Sequence, residues 1–189
     1  MNVYDFDKTI LKYDSSFRFF VFCFKTYKET RRLWARQLSQ TALYAVGIIS
    51  TKAFKERLFA FVRYVPDIDT AVFRFWEAEY QHIGKWYLAQ KQSSDIIISA
   101  SPEFLLAPIA KTLGVKTLIG TRMNPVTGLI EGPNCKGEEK VVRLNQKVPG
   151  AVIDRFYSDS FSDAPLARLA KESFLVQGEK MKPWPKKKL

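Results

Sequence analysis

"VYDFDKTI", residues 3–10, decides how this chain is read. It opens as the apolar end of a short strand and then places two aspartates, Asp5 and Asp7, with one residue between them. Two like charges at the end of a buried strand repel one another and lose hydration, so the pair implies a compensating cation and, with it, chemistry. Open α/β sheets bind their ligands at the carboxyl ends of the strands, where this pair would lie.

Four later stretches read as strands that complete such a sheet: "DIIIS" at 95–99, "VKTLIG" at 115–120, "AVIDRFY" at 151–157 and "ESFLVQ" at 172–177. Pro102 suits the start of a helix that Gly114 closes, and residues 163–170 read as another helix. Nearly all-apolar strands alternating with helices predict an α/β fold, a Rossmann-like parallel sheet covered on both faces. In that fold Asp5, Asp7, Ser99 and the acidic segment after Tyr157 share one edge.

The first two strands are separated by more than eighty residues, too many for a simple crossover. "SSFRFFVFCFKTY", "RRLWARQLSQTALYAVGII", "TKAFKERLFAFVRYV" and "DTAVFRFWEAEYQHIGKWYLAQKQ" all have apolar residues at helical intervals. The reading is a helical cap at 14–93 inserted into a core formed by 1–13 and 94–189. "NPVTGLIEGPN", with turn residues on either side of "LIEG", is read as a small hairpin beside the site.

With 30 basic and 19 acidic residues among 189, the net charge of +11 favours anionic partners: phosphorylated molecules, nucleic acid or an anionic membrane. A strand beginning within two residues of Met1 leaves no room for a signal peptide, so the expected compartment is the cytoplasm. Cys23 and Cys135 lie far apart and are read as free thiols, and His82 lacks the His or Cys neighbours of a zinc site.

Residue chemistry then assigns roles. A carboxylate can attack a phosphoryl group when cations offset the charge of both, and Asp5 at the strand tip is the candidate nucleophile. Asp7 is placed to protonate the leaving oxygen and then activate water. "YSDSFSDAPL" supplies Asp159 and Asp163 just past a strand, where Mg²⁺ would take a few carboxylate oxygens together with water and phosphate. Asp163 also suits a helix N-cap. Ser99 and the backbone N–H groups that follow it, beginning at Ala100, face the same edge and suit phosphate oxygens, whereas Ser101 suits an N-cap ahead of Pro102. Lys136 and Lys140 in "NCKGEEKVVRL" both qualify as the cation for the phosphoryl group.

"DFDKT", the strand ending at Ser99, the lysine of "CKGEEK" and "SDSFSD" occur in the order of the four motifs of the haloacid-dehalogenase-like phosphatases. With its helical insert after the first strand, the chain resembles the phosphoserine-phosphatase-like branch over nearly its whole length. The resemblance implies a Mg²⁺-dependent phosphomonoesterase working through an aspartyl-phosphate. It implies Asp5 and Asp7 as catalytic residues, Thr9, Ser99, Ala100 and Lys140 at the substrate phosphate, and Asp5, Asp7, Asp159 and Asp163 around the metal. Lys140 is preferred to Lys136 because a similar Cys-x-Gly-x-x-Lys pattern occurs in bacterial phosphatidylglycerophosphatases of this branch. Lys8 stands where the family usually has Gly or Ser, and Asp14 falls near a glutamate that holds the substrate amino group in phosphoserine phosphatases. Asp14 equally suits capping of the first insert helix.

Substrate choice is left to the insert, rich in Phe, Tyr, Trp, Arg and Lys. Its apolar runs are too short to span a membrane and read either as packed helix faces or as an interfacial surface for anionic lipid. The tail "KMKPWPKKKL", with Trp184 among lysines, reads as a membrane contact or as a frayed basic terminus. The expected partner is therefore a phosphorylated small molecule or a phospholipid head group, with peripheral membrane contact as an alternative and no nucleic acid. A phosphotransferase and a non-catalytic basic binding module are the rival readings.

Overall fold

The computed structural model describes residues 1–33, 43–44 and 46–185. Its strands are β1 (Asn2–Tyr4), β2 (Ile96–Pro102), β3 (Thr117–Thr121), β4 (Ile153–Ser158), β5 (Ala170–Gln177) and β6 (Lys180–Pro183). They form one sheet in the order β3-β2-β1-β4-β5-β6, parallel except for β6, which pairs antiparallel with β5. The expected α/β sheet is present, with β1 at its centre and one more strand than the sequence suggested.

Strand alternation gives the sheet two apolar faces. Val3, Ile96, Ile98, Ile119 and Phe156 pack in one cluster with Leu144 and Leu166, from the helices Glu138–Lys147 and Ala164–Leu169. Tyr4, Ile97 and Tyr157, each one residue out of phase, belong to the opposite cluster, as a side-chain period of two requires. There Tyr4 stacks on Tyr157 with ring centroids 4.7 Å apart, and helix Glu103–Thr112 contributes Leu105, Leu106 and Ile109.

Between β1 and β2 the insert is helical, with helices Ser15–Thr26, Thr51–Phe59, Ile68–Glu79 and Lys85–Gln90 and short 3₁₀ turns between them. Most of the expected helix at 31–49 falls outside the described residues. The expected 69–92 segment is two helices, interrupted where Ile83 bridges to Leu11 and Gly84 N–H donates to Ile10 O at 2.8 Å. The insert packs directly on the core. Phe19, Phe59, Phe75 and Trp76 of the insert share one cluster with Tyr4 and Leu105, and Trp76 Nε1 donates to Leu105 O at 2.6 Å.

The expected hairpin follows β3 and turns at Pro125–Gly128, with Met123 bridged antiparallel to Ile130. Asn124 Oδ1 accepts from the N–H groups of Val126 and Thr127, both at 3.0 Å, and Gly128 N–H donates to Asn124 O, so Asn124 sets the turn. Gly128 has φ of +72°, and a Cβ there would lie 2.5 Å from Phe59 O. Gly128→Ala is therefore expected to lower stability in urea unfolding by about 2 kcal/mol or more. Gly150→Ala, with φ of +70° but nothing within 4 Å, should cost less than half of that.

The tail corrects both expectations for it. Lys180–Pro183 is an edge strand, and Trp184 is 5% exposed, its ring packed on Phe156 and Phe161 and its backbone N–H donating to Ser173 O. The indole is core, not a membrane anchor, and this part of the tail is not frayed; residues 186–189 lie outside the described residues. Trp184→Ala should cost about 3 kcal/mol of stability, with any binding to anionic lipid vesicles unchanged. No helix among the described residues is long and apolar enough to cross a membrane.

Candidate active site

The two acids reach the same place because the residue between them does not. Phe6 is fully buried, edge-on to Trp76 with centroids 5.7 Å apart, and this leaves Asp5 and Asp7 on the wall of one cavity of about 470 Å³. Asp5 N–H donates to Tyr157 O at 2.9 Å, carrying the β1–β4 pairing one residue past Tyr4. Beyond Asp7 the chain turns sharply. Lys8 has φ of +57° and is the one non-glycine residue with positive φ among those described, which is a physical reason for glycine at this position.

Lys140 is 2% exposed, and its Nζ donates to Asp5 Oδ1 at 2.7 Å and to Asp163 Oδ2 at 2.8 Å. Asp163 is further held by Ser158 Oγ at 2.7 Å. Thr9 Oγ1 donates to Asp5 Oδ2 at 3.2 Å and accepts Asp159 N–H at 2.9 Å, tying the end of β4 to the end of β1. Asp159 lines the cavity, as do Ser99, Ala100 and the exposed Lys136.

Asp7 is bound on both oxygens, by Ser15 N–H at Oδ1 (2.8 Å) and by Ser101 Oγ at Oδ2. Ser101 lies in β2, not at a helix cap, and its hydroxyl also meets Ser15 Oγ at 3.1 Å and Ser16 Oγ at 2.8 Å. Ser99 Oγ accepts Ser101 N–H at 3.1 Å. Asp14 caps helix Ser15–Thr26 through Phe17 N–H, so the cap also fixes the N–H that grips Asp7.

Burial raises the Asp5 carboxyl to about 7; the charge of Lys140 opposes this, and those of Asp163 and Asp7 add to it. Burial and then the Asp14 charge raise Asp7 to about 6, against the hydrogen bonds from Ser101 and Ser15. Burial also raises Asp159, with Lys8 pulling the other way. Burial works against the Lys140 ammonium, but Asp5 and Asp163 outweigh it and hold the charge. Burial raises the thiols of Cys23 and Cys135, to about 12 and about 11, so both stay protonated and unreactive.

The sequence reading missed Lys55, Ser15, Ser16 and the contact of Ser101 with Asp7. Lys55 reaches in from helix Thr51–Phe59 and donates to Ala100 O at 2.7 Å and to Asn134 Oδ1 at 2.8 Å. Burial lowers it to about 8 against the pull of Asp7 and Asp14. Lys55 is one of two lysines in "TKAFKERL" and carries no local signal, whereas "SASP" held Ser101 in view as a cap and "DSS" pointed to Asp14 rather than to the serines.

Residues 3–168 match the family model described as haloacid dehalogenase-like hydrolase. The chain belongs to that family. Among its relatives is Protein CicA of Caulobacter vibrioides, 33% identical over 113 residues, covering 57% of this chain and 45% of CicA, so this chain spans about half the length of that relative. A histidinol-phosphatase of Neisseria meningitidis is 30% identical over 170 residues, covering 75% of this chain and 77% of that protein. A protein of unknown function from Bordetella pertussis has the same fold, with a TM-score of 0.76 and 23% identity over 92% of this chain and 87% of that one. A phosphoserine phosphohydrolase-like protein from Francisella tularensis follows at a TM-score of 0.56, with 15% identity over 92% and 86% of the two chains.

The donors available to a metal in this haloacid dehalogenase-like site are carboxylate oxygens. Asp5, Asp7, Asp159 and Asp163 line one cavity, but among the described residues no three acidic, His or Cys side chains are gathered into a group able to hold an ion. Carboxylate oxygens are the donor type that suits a hard cation keeping several waters, which needs only one or two carboxylates from the protein. Burial is the first cause of the raised Asp5 and Asp7 carboxyls. A carboxyl with a higher pKa folded than unfolded holds its proton longer in the folded state, so its contribution to stability is full at low pH and lost as pH rises. Thermal unfolding without divalent cations should thus show stability falling between about pH 4 and about pH 7, less steeply in Asp5→Asn, with Mg²⁺ restoring it at the upper end.

Proposed function

We propose that this protein is a Mg²⁺-dependent phosphomonoester hydrolase in which Asp5 takes the phosphoryl group. One observation carries the reading: Lys140, buried, bridges Asp5 and Asp163 in the cavity where Asp7 is held by hydroxyl and backbone donors. An Asp5 oxygen attacks phosphorus as the bond from phosphorus to the ester oxygen breaks, and Asp7 gives its proton to the departing alcohol. Asp7 then takes a proton from water, which attacks phosphorus and releases Asp5 and inorganic phosphate. Mg²⁺, held by Asp5, Asp7 and Asp159, supplies positive charge at the phosphoryl oxygens when bound.

Lys140 neutralises the charge that Asp5 shares with the phosphoryl group, and Asp163 keeps the lysine in place. The Ser99 hydroxyl and the Ala100 N–H serve the remaining phosphoryl oxygens at the tip of β2. Ser101 suits both states of Asp7, because its hydroxyl donates to the carboxylate and accepts from the carboxylic acid, with Ser15 and Ser16 as alternative partners. The histidinol-phosphatase relative supports a small phosphorylated metabolite over a phospholipid head group, and the buried Trp184 takes away the apolar anchor that the tail offered a membrane.

Hydrolysis of para-nitrophenyl phosphate with Mg²⁺ tests the reading. Asp5→Asn should lose at least about 1,000-fold in kcat, and Asp7→Asn about 100- to 10,000-fold. An Asp5→Asn protein that kept the wild-type rate would end the assignment of the nucleophile.

A further inference from the structure

The aromatic part of the cavity wall comes from the insert. The core contributes Asp5, Asp7, Lys140 and Ser99; the insert contributes Phe17, Tyr44, Phe54 and Leu58, together with the polar Asp14, Ser16, Thr51 and Lys55. Tyr44 and Phe54 stack nearly parallel, with centroids 4.5 Å apart and an interplanar angle of 12°, and the Tyr44 hydroxyl meets Thr51 Oγ1 at 3.3 Å. Phe54 is partly buried on the main apolar cluster, and Leu58 is buried within it, so this wall is anchored rather than loose. Phe17 is 56% exposed, lines the cavity and stands in the first turn of the helix whose Ser15 N–H holds Asp7.

From this wall, and resting on the phosphomonoesterase reading, we propose that the alcohol part of the substrate carries a flat apolar ring, received by Phe17 and the Tyr44–Phe54 pair. Rings stack face to face or meet edge to face on aromatic surfaces and gain more than area alone provides, so such a wall selects a planar group over an alkyl chain of like size. A cavity of this volume suits a small molecule of that kind, with the phosphoryl group beside Lys140 and Ser99 and the ring on the aromatic wall. Phe17 and Phe54 are thereby specificity residues, and neither takes part in the bond-making steps.

Binding of non-hydrolysable phosphonates with Mg²⁺ present, measured by calorimetry, tests this without any turnover. Benzylphosphonate should bind about tenfold more tightly than methylphosphonate and clearly more tightly than hexylphosphonate. Phe17→Ala and Phe54→Leu should each reduce the benzyl-to-methyl ratio by about threefold or more. Phe17 is exposed enough for its truncation to leave folding intact, so that variant keeps the test valid if Phe54→Leu is unstable. Equal binding of the hexyl and benzyl compounds, or a ratio unmoved by Phe17→Ala, would overturn the ring assignment while leaving the phosphatase reading standing. If none of the three phosphonates binds, the phosphate site itself fails, and both readings fall with it.

Discussion

The structure depends on one buried ammonium group. Lys140 sits between Asp5 and Asp163 with almost no exposure, joining the helix that starts at Glu138 to the ends of β1 and β4. Neither aspartate is tolerable as an anion in that setting without it, and removing one partner of a buried ion network leaves the others uncompensated, at a cost of about 3–5 kcal/mol. Burial nonetheless leaves Asp5, Asp7 and Asp159 holding their protons more strongly than free carboxyls do, and Lys140 shares the cavity with Asp5, Asp7, Asp159 and Asp163. A site built this way is held ready for further positive charge.

The sheet makes that concentration of charge possible. β1 is only three residues long, yet it pairs on both sides and carries Val3 into one apolar layer and Tyr4 into the other. Its direction is thus fixed, and the chain leaves it at Asp5 in a set position. Phe6 then returns to the core, and Asp7 turns back toward β2, where Ser101 waits. Alternation in and out of the core over residues 3 to 7 is therefore what brings two carboxylates to one cavity.

Much of this was legible in the sequence because its signals are local. The strand periodicity, the acid pair of "VYDFDKTI", the lysine of "CKGEEK" and the cap at Asp14 each rest on a few adjacent residues. What was not legible depends on contacts across the fold. "SASPE" suits a helix cap as well as a strand end, and only the distant Asp7 decides for Ser101. Lys55 reaches Ala100 and Asn134 from another element, and nothing in its own helix marks it. β6 was missed because "KMKP" has the lysines and proline that guard an edge strand, which in a sequence resemble a solvated tail.

The shared packing of insert and sheet bears on how the cavity is reached. Phe19, Phe59 and Phe75 come from three different insert helices, and all are fully buried in the cluster that contains Tyr4 and Ile97. Swinging the insert outward as a rigid flap would part Phe59 from Phe104 and Trp76 from Phe6 and Leu105 O, at a cost of about 1.5–3 kcal/mol for each ring exposed. Phe17, exposed and on the cavity wall, lies outside these contacts, so a change of its rotamer would alter access to the cavity without that cost.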